Sequence, residues 1–246
     1  MRFNQHIPSL FTLVNLFLGF IAIINIQQGN YVIACYILLA AGAFDSVDGK
    51  LARLLGIPTN FGKEIDSLAD MVSFCLAPAL LVYALYTQNM PGISGEIIAS
   101  VPLIMGAIRL ARFNTIEDKP TDSFIGLPTP VNALAVASLV LLMEHIQLVN
   151  TKYSQPRLLL PIILSLSYMM VSRVQYPKFP LLNLQSGKQN NYRLFGVILF
   201  IICFITAIFT GYQYVVLALF IAFYILSGLI IHVINLGNIE TRSQET

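Results

Sequence analysis

The chain has 246 residues, 57% of them hydrophobic and 11% charged, with a formal net charge of +2. A soluble domain of this length carries roughly 25% charged residues. The composition therefore excludes an ordinary water-soluble enzyme, and the near-neutral balance offers nothing to a nucleic acid. Mean hydropathy is +0.75, the value of a polytopic membrane protein.

Apolar runs follow one another at about 8–27, 31–53, 64–87, 95–113, 129–149, 157–174, 194–211 and 213–235. Each has about 17–25 residues, enough to cross about 30 Å at 1.5 Å per residue. Proline and glycine mark several ends, among them Gly29, Pro91–Gly92, Pro128–Pro130 and Gly211. Pro78, Pro102 and Pro161 fall within runs and are expected to kink helices rather than end them. No internal repeat is present. The expected fold is all-α: one integral membrane domain over residues 1–246, a bundle of about eight transmembrane helices. Cys35, Cys75 and Cys203 lie inside apolar runs, which fits neither a disulfide framework nor a zinc site.

Eight crossings put both termini on one side. Twelve Lys and Arg residues fall there, including Arg2, Lys50, Arg53, Arg109, Arg112, Lys178 and Arg242; only Lys152 and Arg157 fall opposite. The basic side is the cytoplasmic one. The expectation is a protein of the cytoplasmic membrane with both termini inside.

On that side the second and third runs meet in the segment DSVDGKLARLLGIPTNFGKEIDSLAD, Asp45 to Asp70. At about 100° per residue, Asp45, Gly49 and Arg53 share one helical stripe, with Asp48 and Ala52 beside it. Gly62, Asp66 and Asp70 form a second stripe on the next helix. The linker between is short, so the helices are antiparallel neighbours whose stripes can face each other. Tyr31 to Phe44 gives about 21 Å of helix and Met71 to Tyr86 about 24 Å. Both lengths leave the aspartates several ångströms inside a core about 30 Å thick. Unpaired carboxylates at that depth are costly and mark function. Oxygen-only ligands at this spacing suit Mg²⁺ or Mn²⁺, and two ions can be shared between the helices. Small residues beside them admit a bulky ligand, and Arg53 presents a fork suited to phosphate. A diphosphate with one lipid end fits such a place.

The segment matches D-x-x-D-G-x-x-A-R-x8-G-x-x-x-D-x-x-x-D at every fixed position and resembles the signature of the CDP-alcohol phosphotransferases. The resemblance implies that an alcohol attacks the lipid-side phosphorus of a CDP-lipid and that CMP leaves. It implies that Asp45, Asp48, Asp66 and Asp70 hold two divalent cations, Mg²⁺ or Mn²⁺, and that Asp70 is also the general base. Gly49, Ala52, Arg53 and Gly62 would line the CDP site. It also implies a homodimer and a six-helix catalytic core within residues 1–176, with two additional transmembrane helices at 193–236.

IPSLFTLVNLFLGF at 7–20, RLARFN at 109–114 and FIGLPTP at 124–130 resemble the phosphatidylserine synthase branch of that family. The implied reaction joins CDP-diacylglycerol and L-serine to give phosphatidylserine and CMP. Thr12, Asn15 and Gly19 form a stripe on the first helix that either reaches the nucleotide, as the resemblance implies, or packs on a neighbour. Arg109 and Arg112, three residues apart, either hold the serine carboxylate with help from Asn114 or anchor the helix at headgroup level. Another alcohol of the family remains an alternative: inositol, inositol phosphate, glycerol phosphate or choline. An ion-coupled transporter, the reading from a different class, would place its carboxylates near the midplane between inverted repeats. Here they gather near one face.

Overall fold

A computed structural model describes residues 7–55, 60–115, 123–149, 156–177 and 188–244. The described elements are helical apart from two three-residue strands. Leu10–Gln27, Phe61–Thr87, Ser94–Thr115, Thr129–Ile146, Asn190–Thr210 and Gln213–Ile234 are long and apolar enough to cross a membrane. Tyr31–Ser46 and Leu160–Val171 are shorter apolar helices among the described residues. Each expected run therefore has its helix. The chain divides into two compact units, one of residues 1–118 and 128–171, the other of 119–127 and 172–246.

The first unit begins with α1 (Ile7–Gln27) and α2 (Tyr31–Leu55). Gly29 joins them at φ 79°, a left-handed conformation open to glycine. The Asn30 N–H donates to Asn25 O at 2.8 Å, closing the end of α1 as a Schellman turn does.

The third span is α3 (Asn60–Asp70), a π-helical stretch at Met71–Leu76, α4 (Ala77–Val82) and a second π-helical stretch at Tyr83–Thr87. Pro78 explains the first π stretch. It has no N–H for the carbonyl of Phe74, four residues back, and its ring crowds that carbonyl. The turn before it opens instead, and Ala77 N–H bonds Val72 O, five residues back. The wider turn lets three successive residues, Ser73, Phe74 and Cys75, all be buried. Phe74 fills the core against Ala41 and Ala133, with Leu18 packed beside them.

α5 (Ser94–Thr115), α6 (Thr129–Val149) and α7 (Leu160–Val171) complete the unit. Pro102 lies inside α5, as expected. Pro161 does not fall in a helix interior. A 3₁₀ turn at Pro156–Leu159 precedes α7, and Pro161 is its second residue, where a missing N–H breaks no helical bond.

In the second unit, β1 (Ser123–Ile125) pairs antiparallel with β2 (Gln175–Pro177), Phe124 opposite Tyr176. Gly126, at φ 77°, donates its N–H to Val174 O. α8 (Lys188–Thr210) and α9 (Gln213–Gln244) are joined through Gly211, at φ 80°, with Phe200 stacked on Phe220. Tyr176 lies buried against Gly228 of α9, and Tyr224 Oη donates to Pro177 O at 3.1 Å.

Candidate active site

α2 and α3 bring three of the predicted aspartates together. One carboxylate oxygen from each of Asp45, Asp66 and Asp70 lies within 4.8 Å of the others. Asp66 and Asp70 are four apart on α3, a like-charged spacing that weakens an isolated helix. Asp45 and Asp66 are half-buried, and Asp70 is only 8% exposed. Such crowding of anions calls for a counter-charge. Among the described residues the cationic side chain of Arg109 is an electrostatic neighbour of Asp70, and it is buried too. One guanidinium does not match the charge of three carboxylates. The donor set is oxygen only, and Asp70 Oδ1 is buried without a hydrogen-bond partner among the described residues. The residues present therefore fit a hard divalent cation.

Asp48, Gly49, Ala52 and Arg53 lie on the continuous backbone of α2, with their side chains outside the described residues. The helical continuity that their stripe requires is present. Gly62 stands two turns before Asp70 on α3 and is half-buried.

The first helix presses its stripe on the third span. A Cβ on Gly19 would fall 2.9 Å from Ser73 Cα and collide with Ser73 Oγ. That hydroxyl donates to the backbone oxygen of Asn15 at 2.9 Å. α1 and α3 are parallel, so Asn15, one turn before Gly19, stands near the level of Asp70. Thr12 and Asn15 are both buried. The Asn15 side chain has no hydrogen-bond partner among the described residues.

The residues that the sequence groups on α5 take different partners. Arg109 is an electrostatic neighbour of Asp70, while Arg112 Nη1 donates to Val171 O at 3.2 Å and so ties α5 to the end of α7. The Asn114 amide donates to Ser67 Oγ at 2.9 Å and to Glu64 Oε2 at 3.4 Å. Lys63 lies 5.4 Å from the centre of the Phe113 ring. The last turn of α5 is thus stitched to α3.

Thr129 was not singled out in the sequence. Its hydroxyl donates to Asp70 Oδ2 at 3.3 Å, and it has no exposed surface. Its sequence signals are its place within the FIGLPTP segment and between Pro128 and Pro130, where a helix starts. The contact fixes the rotation of the Asp70 carboxylate. Thr129→Val, of the same shape without the hydroxyl, should lower kcat about tenfold, while Thr129→Ser should stay near wild type. Equal losses in the two variants, measured as CMP release, would reduce Thr129 to packing.

The fold and the site together define a class: an integral membrane protein with an acidic, cation-fitting cluster set among its helices. The chain matches the CDP-alcohol phosphatidyltransferase family over residues 5–172, and it belongs to that family. The match stops at the end of α7, and α8 and α9 lie beyond it. The chain is 40% identical over 176 residues to a CDP-diacylglycerol–serine O-phosphatidyltransferase of Helicobacter pylori, covering 70% of this chain and 72% of that one. It is 33% identical over 190 residues to the Bacillus subtilis protein of the same name, covering 76% and 99%. An archaetidylserine synthase of Methanothermobacter thermautotrophicus is 32% identical over 176 residues, covering 70% of each chain.

Proposed function

We propose that the protein transfers the phosphatidyl group of CDP-diacylglycerol to the hydroxyl of L-serine, giving phosphatidylserine and CMP. The observation that carries this reading is the convergence of Asp45, Asp66 and Asp70. The relatives' names support the acceptor: they agree on serine and differ in the lipid.

In this reading Asp45, Asp48, Asp66 and Asp70 hold two divalent cations, Mg²⁺ or Mn²⁺. When bound, these offset the charge of the diphosphate and of the departing CMP. Asp70 takes the proton of the serine hydroxyl. The serine oxygen bonds to the lipid-side phosphorus, the bond from that phosphorus to the CMP oxygen breaks, and CMP leaves with the electron pair. Asp70 then returns its proton to water. Gly49, Ala52, Arg53 and Gly62, with Thr12 and Asn15, line the CDP-lipid site. Arg109 holds the serine carboxylate. Arg112 and Asn114 border the same pocket, Arg112 keeping donors beyond the one given to Val171.

The basic-residue bias supports a site and termini facing the cytoplasm, in the cytoplasmic membrane. The catalytic core is residues 1–176, the helices of 193–236 are additional, and the working form is a homodimer. The test is the purified full chain with CDP-diacylglycerol, offered L-serine, inositol, inositol phosphate, glycerol phosphate and choline in turn. CMP should form with serine, stop with EDTA and resume with Mg²⁺ or Mn²⁺. CMP formation untouched by EDTA would remove the cations; formation with another alcohol and not serine would remove the acceptor.

A further inference from the structure

Asn132 has no exposed surface. Neither its amide nitrogen nor its carbonyl oxygen has a hydrogen-bond partner among the described residues. Its backbone is satisfied, since its N–H donates to Pro128 O at 3.1 Å. The side chain alone is left over. Asn15 on α1 shares this state, whereas several other polar groups of these helices bond to their own helix. Ser138 and Ser167, equally buried, return their hydroxyls to Ala135 O and Ile163 O. Asn25 returns its amide to Ile21 O at 2.9 Å. An amide left unpaired inside a membrane helix is costly, and buried polar groups are as a rule paired.

Asn132 also has a telling position. It follows Thr129 by three residues, on one face of α6. Thr129 touches Asp70 Oδ2, so that face looks toward the carboxylate cluster, with Asn132 one turn further along the helix. Arg109 approaches Asp70 from α5. A zwitterionic acceptor needs donors for its carboxylate and an acceptor for its ammonium. Arg109 has donors only. With the aspartates given to the cations and to the serine hydroxyl, an asparagine carbonyl offers the ammonium an acceptor of its own.

Resting on the serine reading above, we propose that Asn132 is an acceptor-binding residue: its Oδ1 receives the α-ammonium group of serine beside Asp70. The pocket then selects an amino acid over a neutral polyol through two groups on different helices, Arg109 and Asn132.

The test uses the purified full chain with CDP-diacylglycerol and Mn²⁺. Asn132→Leu should raise the serine KM at least tenfold and move the CDP-diacylglycerol KM by less than twofold. A second measurement compares serine with 3-hydroxypropionate, which lacks the amino group, as competing ligands. Wild type should prefer serine, and Asn132→Leu should lose at least tenfold of that preference. Equal shifts in both KM values, or an unchanged preference, would overturn the proposal. Should Asn132→Leu fail to fold, Asn132→Ser is held to the same two criteria. Should wild type use inositol or glycerol phosphate instead, the serine reading and this ammonium contact both fall. A tenfold KM rise confined to that alcohol would then retain Asn132 only as a residue of the acceptor pocket.

Discussion

Asp70→Asn should lower kcat by about 10³–10⁴-fold while leaving CDP-diacylglycerol binding within a few fold of wild type. The asparagine keeps the size of the side chain and still offers an oxygen to Thr129. It loses the basic carboxylate that the attacking hydroxyl needs. Asp45 and Asp66 remain on their helices and can still hold a cation against the diphosphate. Asp66→Asn is the comparison. It removes a ligand without touching the proposed base, so it should weaken CDP-lipid binding as well as turnover, and extra Mn²⁺ should recover part of the loss. The two variants are separated by single-turnover CMP release and equilibrium binding in lipid nanodiscs. Should Asp70→Asn lose binding as fully as Asp66→Asn does, Asp70 would be a cation ligand and nothing more.

Asp45, Asp66 and Asp70 were legible because helical periodicity is a local property. Four residues make one turn, and a short linker makes two turns face each other. The spans were legible for a similar reason, since a run of apolar residues long enough to cross a bilayer has few alternatives. The partners chosen by packing were not. Arg109 and Arg112 lie about 60° apart around α5, and the sequence treats them as equals. Only the placement of α7 sends Arg112 to Val171 O and leaves Arg109 beside Asp70. Thr129 and Asn132 read as two polar residues at the head of an apolar helix, the same whether they face a site or a neighbour. The strands pair Ser123 with Pro177 across a separation that no local pattern reports. The π stretch after Asp70 had one clue, Pro78, and a proline inside a membrane helix more often announces a simple kink.

Gly106→Ala should lower kcat/KM for serine about 10²-fold, and Cys75→Ala in the same chain should restore at least about tenfold of it. Gly106 is one turn before Arg109 on α5. A Cβ there would collide with Cys75 Sγ, lie 3.1 Å from Cys75 Cβ and sit 3.8 Å from Thr129 Cγ2. The absence of a side chain is thus what lets α5 lie against Met71–Leu76, at the corner where Asp70, Arg109 and Thr129 meet. A membrane-buried cysteine next to helical backbone has little room to turn aside, so the alanine must push α5 outward by about 1 Å, at roughly 1–3 kcal/mol of stability. Arg109 rides on the same helix and moves with it. A displacement of that size at a positioning residue is worth about two orders of magnitude in rate. Cys75→Ala removes the sulfur and gives the new methyl its place, but the Cys75 Cβ contact remains tight, so recovery is partial. By contrast, Gly19→Ala meets the Cα of Ser73, and no side-chain change can relieve a backbone contact. Recovery of activity in the Gly106→Ala/Cys75→Ala pair, with no recovery in Gly19→Ala/Ser73→Ala, would tie turnover to the close approach of α5. Equal loss in the single and double Gly106 variants would break that link.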